Sequence, residues 1–216
     1  MGTYNYIVTE LQPAEGAIEG ITYSKASYDV KVNVTDKGDG TLNVAFSLGQ
    51  TADDQGEEIF KNVDKAMFTN TYTALMPEED KAATNAVFTK VVNGRQWIQG
   101  DSFTFRLAAV TNGAPLPKDA EGNDVTEKTV TAADVLDGKV DFSFGVIEYS
   151  LDMVKEEENR TKEFVYEVTE VEPGEGEAKI AGMTYDTHKA IMKITVSDDG
   201  EGHLQAVTTI ENNTFT

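Results

Sequence analysis

Apolar and polar residues alternate with a period of two in four separate stretches: Tyr28–Val34, Phe103–Leu107, Val140–Phe144 and Ile191–Val196. A period of two places successive side chains on opposite faces, so each stretch predicts a strand with one buried face. Each is bounded by turn residues, most clearly Asp36-Lys37-Gly38-Asp39-Gly40 and Asp198-Asp199-Gly200-Glu201-Gly202. Short strands at this spacing predict an all-β sandwich. Helix signals are few. Met76–Ala83 has room for one or two turns, and Thr131-Ala132-Ala133-Asp134 carries a capping box that opens a single turn closed by Gly138.

The pattern occurs twice. Tyr4-Asn5-Tyr6-Ile7-Val8-Thr9-Glu10 matches Phe164-Val165-Tyr166-Glu167-Val168-Thr169-Glu170, and each is followed by Pro13-Ala14-Glu15-Gly16 or Pro173-Gly174-Glu175-Gly176. Gly20-Ile21-Thr22-Tyr23 then returns as Gly182-Met183-Thr184-Tyr185, and the turn from Val34 to Leu42 as that from Val196 to Leu204. Both copies close on Asn-Thr-aromatic, at Asn70-Thr71-Tyr72 and Asn213-Thr214-Phe215. Only the second copy has a long stretch of its own upstream, roughly Pro77 to Arg160. Residues 1–75 therefore read as the C-terminal half of a module and 76–216 as a complete one. The sequence is accordingly expected to be a piece of a longer array.

Composition narrows the partners. Of 216 residues, 38 are acidic and 18 are Lys or Arg, for a formal charge of -20. A surface of that sign repels polyanions, which argues against nucleic acid and anionic membranes. No apolar run is long enough to span a bilayer, so no membrane insertion is expected of these residues. Cysteine is absent, so any covalent staple must use other side chains.

Strand parity puts three polar residues where apolar ones belong. Glu170 shares a face with Phe164, Tyr166 and Val168, and Glu10 holds the same place beside Tyr4, Tyr6 and Val8. Lys90 lies between Phe88 and Val92, while Asn70 lies between Phe68 and Tyr72, with Asn213 at the equivalent place in the second copy. Taken singly, each reads as a strand-end polar residue in solvent. Together, an amine, a carboxyl and an amide in an apolar interior suit one reaction: a neutral lysine attacks the asparagine carbonyl, ammonia leaves, and an amide crosslink remains. Burial favours the neutral amine and the protonated acid that this requires.

These residues resemble the Gram-positive pilin and surface-adhesin modules with internal Lys-Asn isopeptide bonds, the streptococcal pilin isopeptide linkage domains. The likeness rests on the order of Phe88-Thr89-Lys90-Val91-Val92-Asn93-Gly94, Gly100–Leu107, Gly138–Phe142, Tyr166–Glu170, Gly182–Asp186 and the closing Asn213-Thr214-Phe215. It implies immunoglobulin-like or CnaB-like β-sandwich modules in tandem, with Lys90 as the amine, Glu170 as the catalytic acid and Asn213 as the amide; Glu10 and Asn70 are the equivalents in the first half. Glu211 stands where Phe68 stands in the first copy, so a one-residue slip makes Asn212 the partner instead. The implied role is a stalk or shaft module at the cell surface, cell-wall anchored through other parts of the protein. It performs one intramolecular crosslinking event rather than enzymatic turnover, needs no cofactor, and packs against neighbouring modules or pilin subunits. A ligand-binding sandwich of an adhesin, with a host surface ligand held by loops, is the alternative.

Other constellations point to structure. The two Asp/Gly-rich turns lack the ligand alternation of a calcium loop and read as hairpins. His188 and His203 have no paired ligand pattern, so no metal site is expected. Trp97, between Gly94 and Gly100, reads as core or hairpin packing, and the Lys155–Arg160 run as a solvated loop.

Overall fold

The computed structural model describes residues 1–13, 17–174 and 179–216. Ala14-Glu15-Gly16 and Glu175-Gly176, part of the internal repeat, lie outside them. The chain is all-β apart from short helical turns, and it packs as two units, Met1–Thr73 and Ala74–Thr216.

In the first unit, β1 (Gly2–Thr9), β3 (Ser27–Asp36), β4 (Leu42–Ala52) and β5 (Glu58–Asn62) form one antiparallel sheet in that order. β2 (Ile21–Thr22) pairs antiparallel with β6 (Thr71–Tyr72). The predicted alternation holds from Tyr28 to Val32 in β3, and Asp36–Gly40 makes the hairpin into β4. Register puts Tyr4 opposite Val32 and Tyr6 opposite Val30, and Val32 in turn opposite Phe46. This apolar face is uncovered: Tyr6, Val44 and Phe46 are 55%, 61% and 72% exposed.

In the second unit the corresponding face is covered by that unit's own second layer. Its five-stranded sheet runs β13 (Leu204–Glu211), β12 (Lys189–Asp198), β11 (Thr161–Val171), β8 (Ser102–Ala109), β9 (Glu127–Thr131), antiparallel throughout. Along β11 and β12 every second residue is buried, from Phe164 to Glu170 and from Ala190 to Asp198. The other layer is a three-stranded sheet, β10 (Lys139–Phe142), β7 (Phe88–Val91), β14 (Thr214–Phe215), with β14 parallel to β7. Phe105 joins the layers, its ring 4.3 Å from Phe142 and 4.9 Å from Phe215.

The helical signals sit at edges. Helix α1 (Glu78–Ala83) carries three acids in its first turn, which suits the positive end of its dipole. Asp80 accepts from the Ala206 N–H and Thr208 donates to the Ala83 carbonyl, so α1 blunts the free edge of β13. The Thr131 capping box opens a single 3₁₀ turn, Ala132–Asp134.

Phe105 is 0% exposed, so Phe105→Ala leaves a cavity between the layers and should destabilise the second unit by about 3–5 kcal/mol. Denaturant titration followed by fluorescence of the single tryptophan, Trp97, measures it; an unchanged midpoint would show that the two layers do not depend on this ring.

Candidate functional site

The site begins on β7. Phe88 and Lys90 face inward, Thr89 and Val91 are half-exposed, and Lys90 sits in register with Val140 on β10 and Phe215 on β14. A lysine 1% exposed must find a partner or lose its charge. It finds Glu170, inward-facing on β11, with Lys90 Nζ 2.9 Å from Glu170 Oε2 and both side chains sealed from water. Lys90 Nζ also lies 4.6 Å from the centre of the Phe103 ring. Glu170 Oε2 accepts a second bond, from the Asp186 N–H at 3.1 Å, whereas Oε1 is buried with no hydrogen-bond partner among the described residues. Burial raises the pKa of Glu170 above the ordinary carboxylate value, with the Lys90 hydrogen bond and charge pulling the other way.

Asp186, just after Tyr185 in the loop before β12, is a member that strand parity could not reveal. Its carboxylate accepts from the N–H and ring of His188 and from the Thr216 N–H, at 3.0, 2.7 and 2.7 Å. Desolvation alone would raise its pKa, but these donors lower it to about 2. His188 Nε2 in turn meets the Asn212 carbonyl, and its ring stacks on Phe215 at 4.5 Å. The sequence signal was the repeat itself, because Asp186 follows Tyr185 as Ser24 follows Tyr23.

Asn213 is not brought to this pair. Asn212 turns the chain through a positive φ of 57°, and the exposed Asn213 then offers Nδ2 to the Val87 carbonyl at 3.5 Å while its own carbonyl accepts from the Thr89 N–H. The first unit does bring its acid and amide together. Glu10, just past β1, accepts from Asn70 Nδ2 at 2.9 Å through Oε1 and from the Ser24 N–H at 3.1 Å through Oε2. Asn70 Oδ1 accepts from the same Ser24 N–H at 2.8 Å.

The remaining expectations fall on structural features. Arg95 grips the buried Asp101 through two guanidinium bonds of 2.6 and 2.8 Å, closing the loop around Trp97, whose ring packs edge-on against Phe103 at 5.3 Å. Asp198–Gly202 makes the β12–β13 hairpin, and among the described residues no cluster of three potential metal ligands occurs.

A family model described as Spy0128-like isopeptide containing domain (FctA) matches residues 1–73 and 86–216. Comparison with curated proteins finds no match.

Because its folded pKa is depressed from 3.8 to about 2, Asp186 contributes stability that is present above the higher value and lost as pH falls through the lower. Asp186→Asn should therefore lower the Trp97-detected unfolding midpoint at neutral pH, and its deficit against the parent should shrink between about pH 4 and about pH 2. A deficit independent of pH would remove the carboxylate from this account.

Proposed function

Since the chain belongs to the family of Spy0128-like isopeptide-containing domains, a pilin family of the cell surface, we propose that it is a stalk or shaft module stapled by one autocatalytic Lys-Asn isopeptide bond. Lys90 is the nucleophile and Glu170 the acid. The observation that carries this reading is the 2.9 Å contact between two side chains that water does not reach. Burial raises the pKa of Glu170 and so favours its neutral, protonated form, the form that the chemistry needs beside the amine.

The chemistry balances without an oxidant or cofactor. Neutral Lys90 Nζ attacks an asparagine side-chain carbonyl carbon, and the protonated Glu170 donates a hydrogen bond to the carbonyl oxygen as charge develops there. One of the lysine's N–H protons passes through the Glu170 carboxyl to the amide nitrogen, the bond from carbon to that nitrogen breaks, and ammonia leaves. A secondary amide remains. The lysine is consumed, so the event happens once per molecule.

Modules of this kind work in series, and neighbouring pilin subunits are the partners the family suggests. In the protein made by its source organism, peptides shaved from intact cells and mapped by mass spectrometry should contain Lys90 only within a branched species lacking one ammonia. A linear tryptic peptide ending at Lys90 would overturn the reading, because a lysine in amide linkage is not cleaved.

A further inference from the structure

The described residues hold two apolar sheet faces of one kind and a single layer able to cover either. In the second unit Phe164, Tyr166 and Val168 of β11 are buried between their own sheet and the layer of β10, β7 and β14. In the first unit the matching Tyr4, Tyr6 and Val8 of β1 have no such layer. Register sets Val32 and Val30 of β3 beside the two tyrosines, and Phe46 and Leu48 of β4 beside those valines, so the apolar side is three strands wide. The short β2–β6 pair leaves it open, with Tyr4 and Phe46 47% and 72% exposed.

Charge singles out this surface. The chain carries a formal charge of -20, yet none of the side chains that β1, β3 and β4 place on this side between Glu10 and Asp36 is charged. Asp29 and Lys31 fall on the opposite side of β3 by parity, and Glu10 and Asp36 stand at the two ends of the face, where water reaches them. Two copies can therefore meet here without desolvating an ion, which is the usual cost of burying protein surface.

We propose that this face is a dimerisation surface and that its occupant is the same face of a second copy, stacked across a two-fold axis as the sheets of a sandwich stack. The covering layer of each molecule is committed to its own second unit, so every molecule brings one unfilled face, and pairing like with like leaves none. Lending that layer to the first unit of another copy would uncover as much as it covers. The outer edge of β1 is a rival contact, since Gly2–Thr9 is exposed throughout, uncharged, and paired only with β3. Edge pairing would leave Val44 and Phe46 in water two strands away, whereas stacking buries them. With an aromatic side chain offering roughly 150–250 Å², the exposed parts of Tyr4, Tyr6 and Phe46 and the neighbouring valines give two stacked copies about 1,000 Å² to bury, the size of a weak, reversible interface.

Sedimentation velocity and light scattering on the 216-residue chain test this. The chain should be mainly dimer at roughly 100 µM and mainly monomer at about 1 µM. Salt at about 1 M should favour the dimer, because it screens the repulsion between two acidic chains and the contact holds no ion pair to weaken. Phe46→Glu should weaken association at least tenfold, while Ser47→Glu, on the other side of the same strand, should leave it unchanged; circular dichroism verifies that both variants fold. Trp97 emission should not change on dilution, since it packs on Phe103 in the second unit, away from the stacked faces. A chain that is monomeric at roughly 100 µM would overturn the proposal. So would a dimer that tolerates Phe46→Glu, as an edge-paired one does, or growth past the dimer, as an open contact gives. A change in Trp97 emission on dilution would show that the β7 layer is lent between copies, and would overturn it as well.

Discussion

A buried lysine held 2.9 Å from a buried glutamate is the constraint around which the second unit is arranged. Such a pair does not stabilise a fold cheaply, because desolvating two charges costs several kcal/mol and the attraction between them returns that only with good geometry and satisfied lone pairs. Here the geometry is good and the satisfaction incomplete: Glu170 Oε2 has two donors and Oε1 none among the described residues. A pair of methionines would fill the same space with less penalty. On the proposed reading the arrangement stores reactivity, since acylation of the lysine would remove the buried charge and make its nitrogen an ordinary amide.

The first unit serves as an internal control on what creates that reactivity. It repeats the acid, the loop that feeds an N–H to it, and the amide, yet its sheet face is open, with Phe46 72% exposed where the second unit is covered by a second layer. Glu10 is only half-buried there, whereas the Glu170 side chain is sealed from water. The same local sequence thus gives a solvated hydrogen-bonded pair in one setting and a perturbed acid in the other. The covering layer supplies both the lysine and the low dielectric, so the chemistry belongs to the sandwich rather than to either sheet.

Much of this was legible in the sequence because a period of two fixes the face of every residue once a strand is recognised. Parity alone put Lys90 with Phe88 and Glu170 with Phe164, Tyr166 and Val168, and the burial of those residues follows it. The alternation failed to inform where strands end. Asn213 follows a positive φ at Asn212 and is exposed, because a residue beside a turn does not keep the face its spacing suggests. Asp186 was hidden for a related reason: it sits in a loop, where hydrogen bonds to backbone N–H groups rather than apolar periodicity set its position.

The place of the lysine also bears on load. β7 and β14 lie at opposite ends of the second unit's sequence and run parallel, so pulling on its ends drags one strand past the other and strains their hydrogen bonds together. The ladder between them is only two residue pairs long, Thr89 with Thr214 and Lys90 with Phe215. With each bond contributing about 1 kcal/mol net, that seam is among the weakest in the unit. The five-stranded sheet behind it, joined by ladders of up to nine pairs, carries no such weakness. On the proposed reading, a covalent link from Lys90 would let tension bypass that two-pair ladder. Under that reading a link at this seam reinforces a short ladder, whereas the same link within the broad sheet would reinforce what the hydrogen bonds already hold.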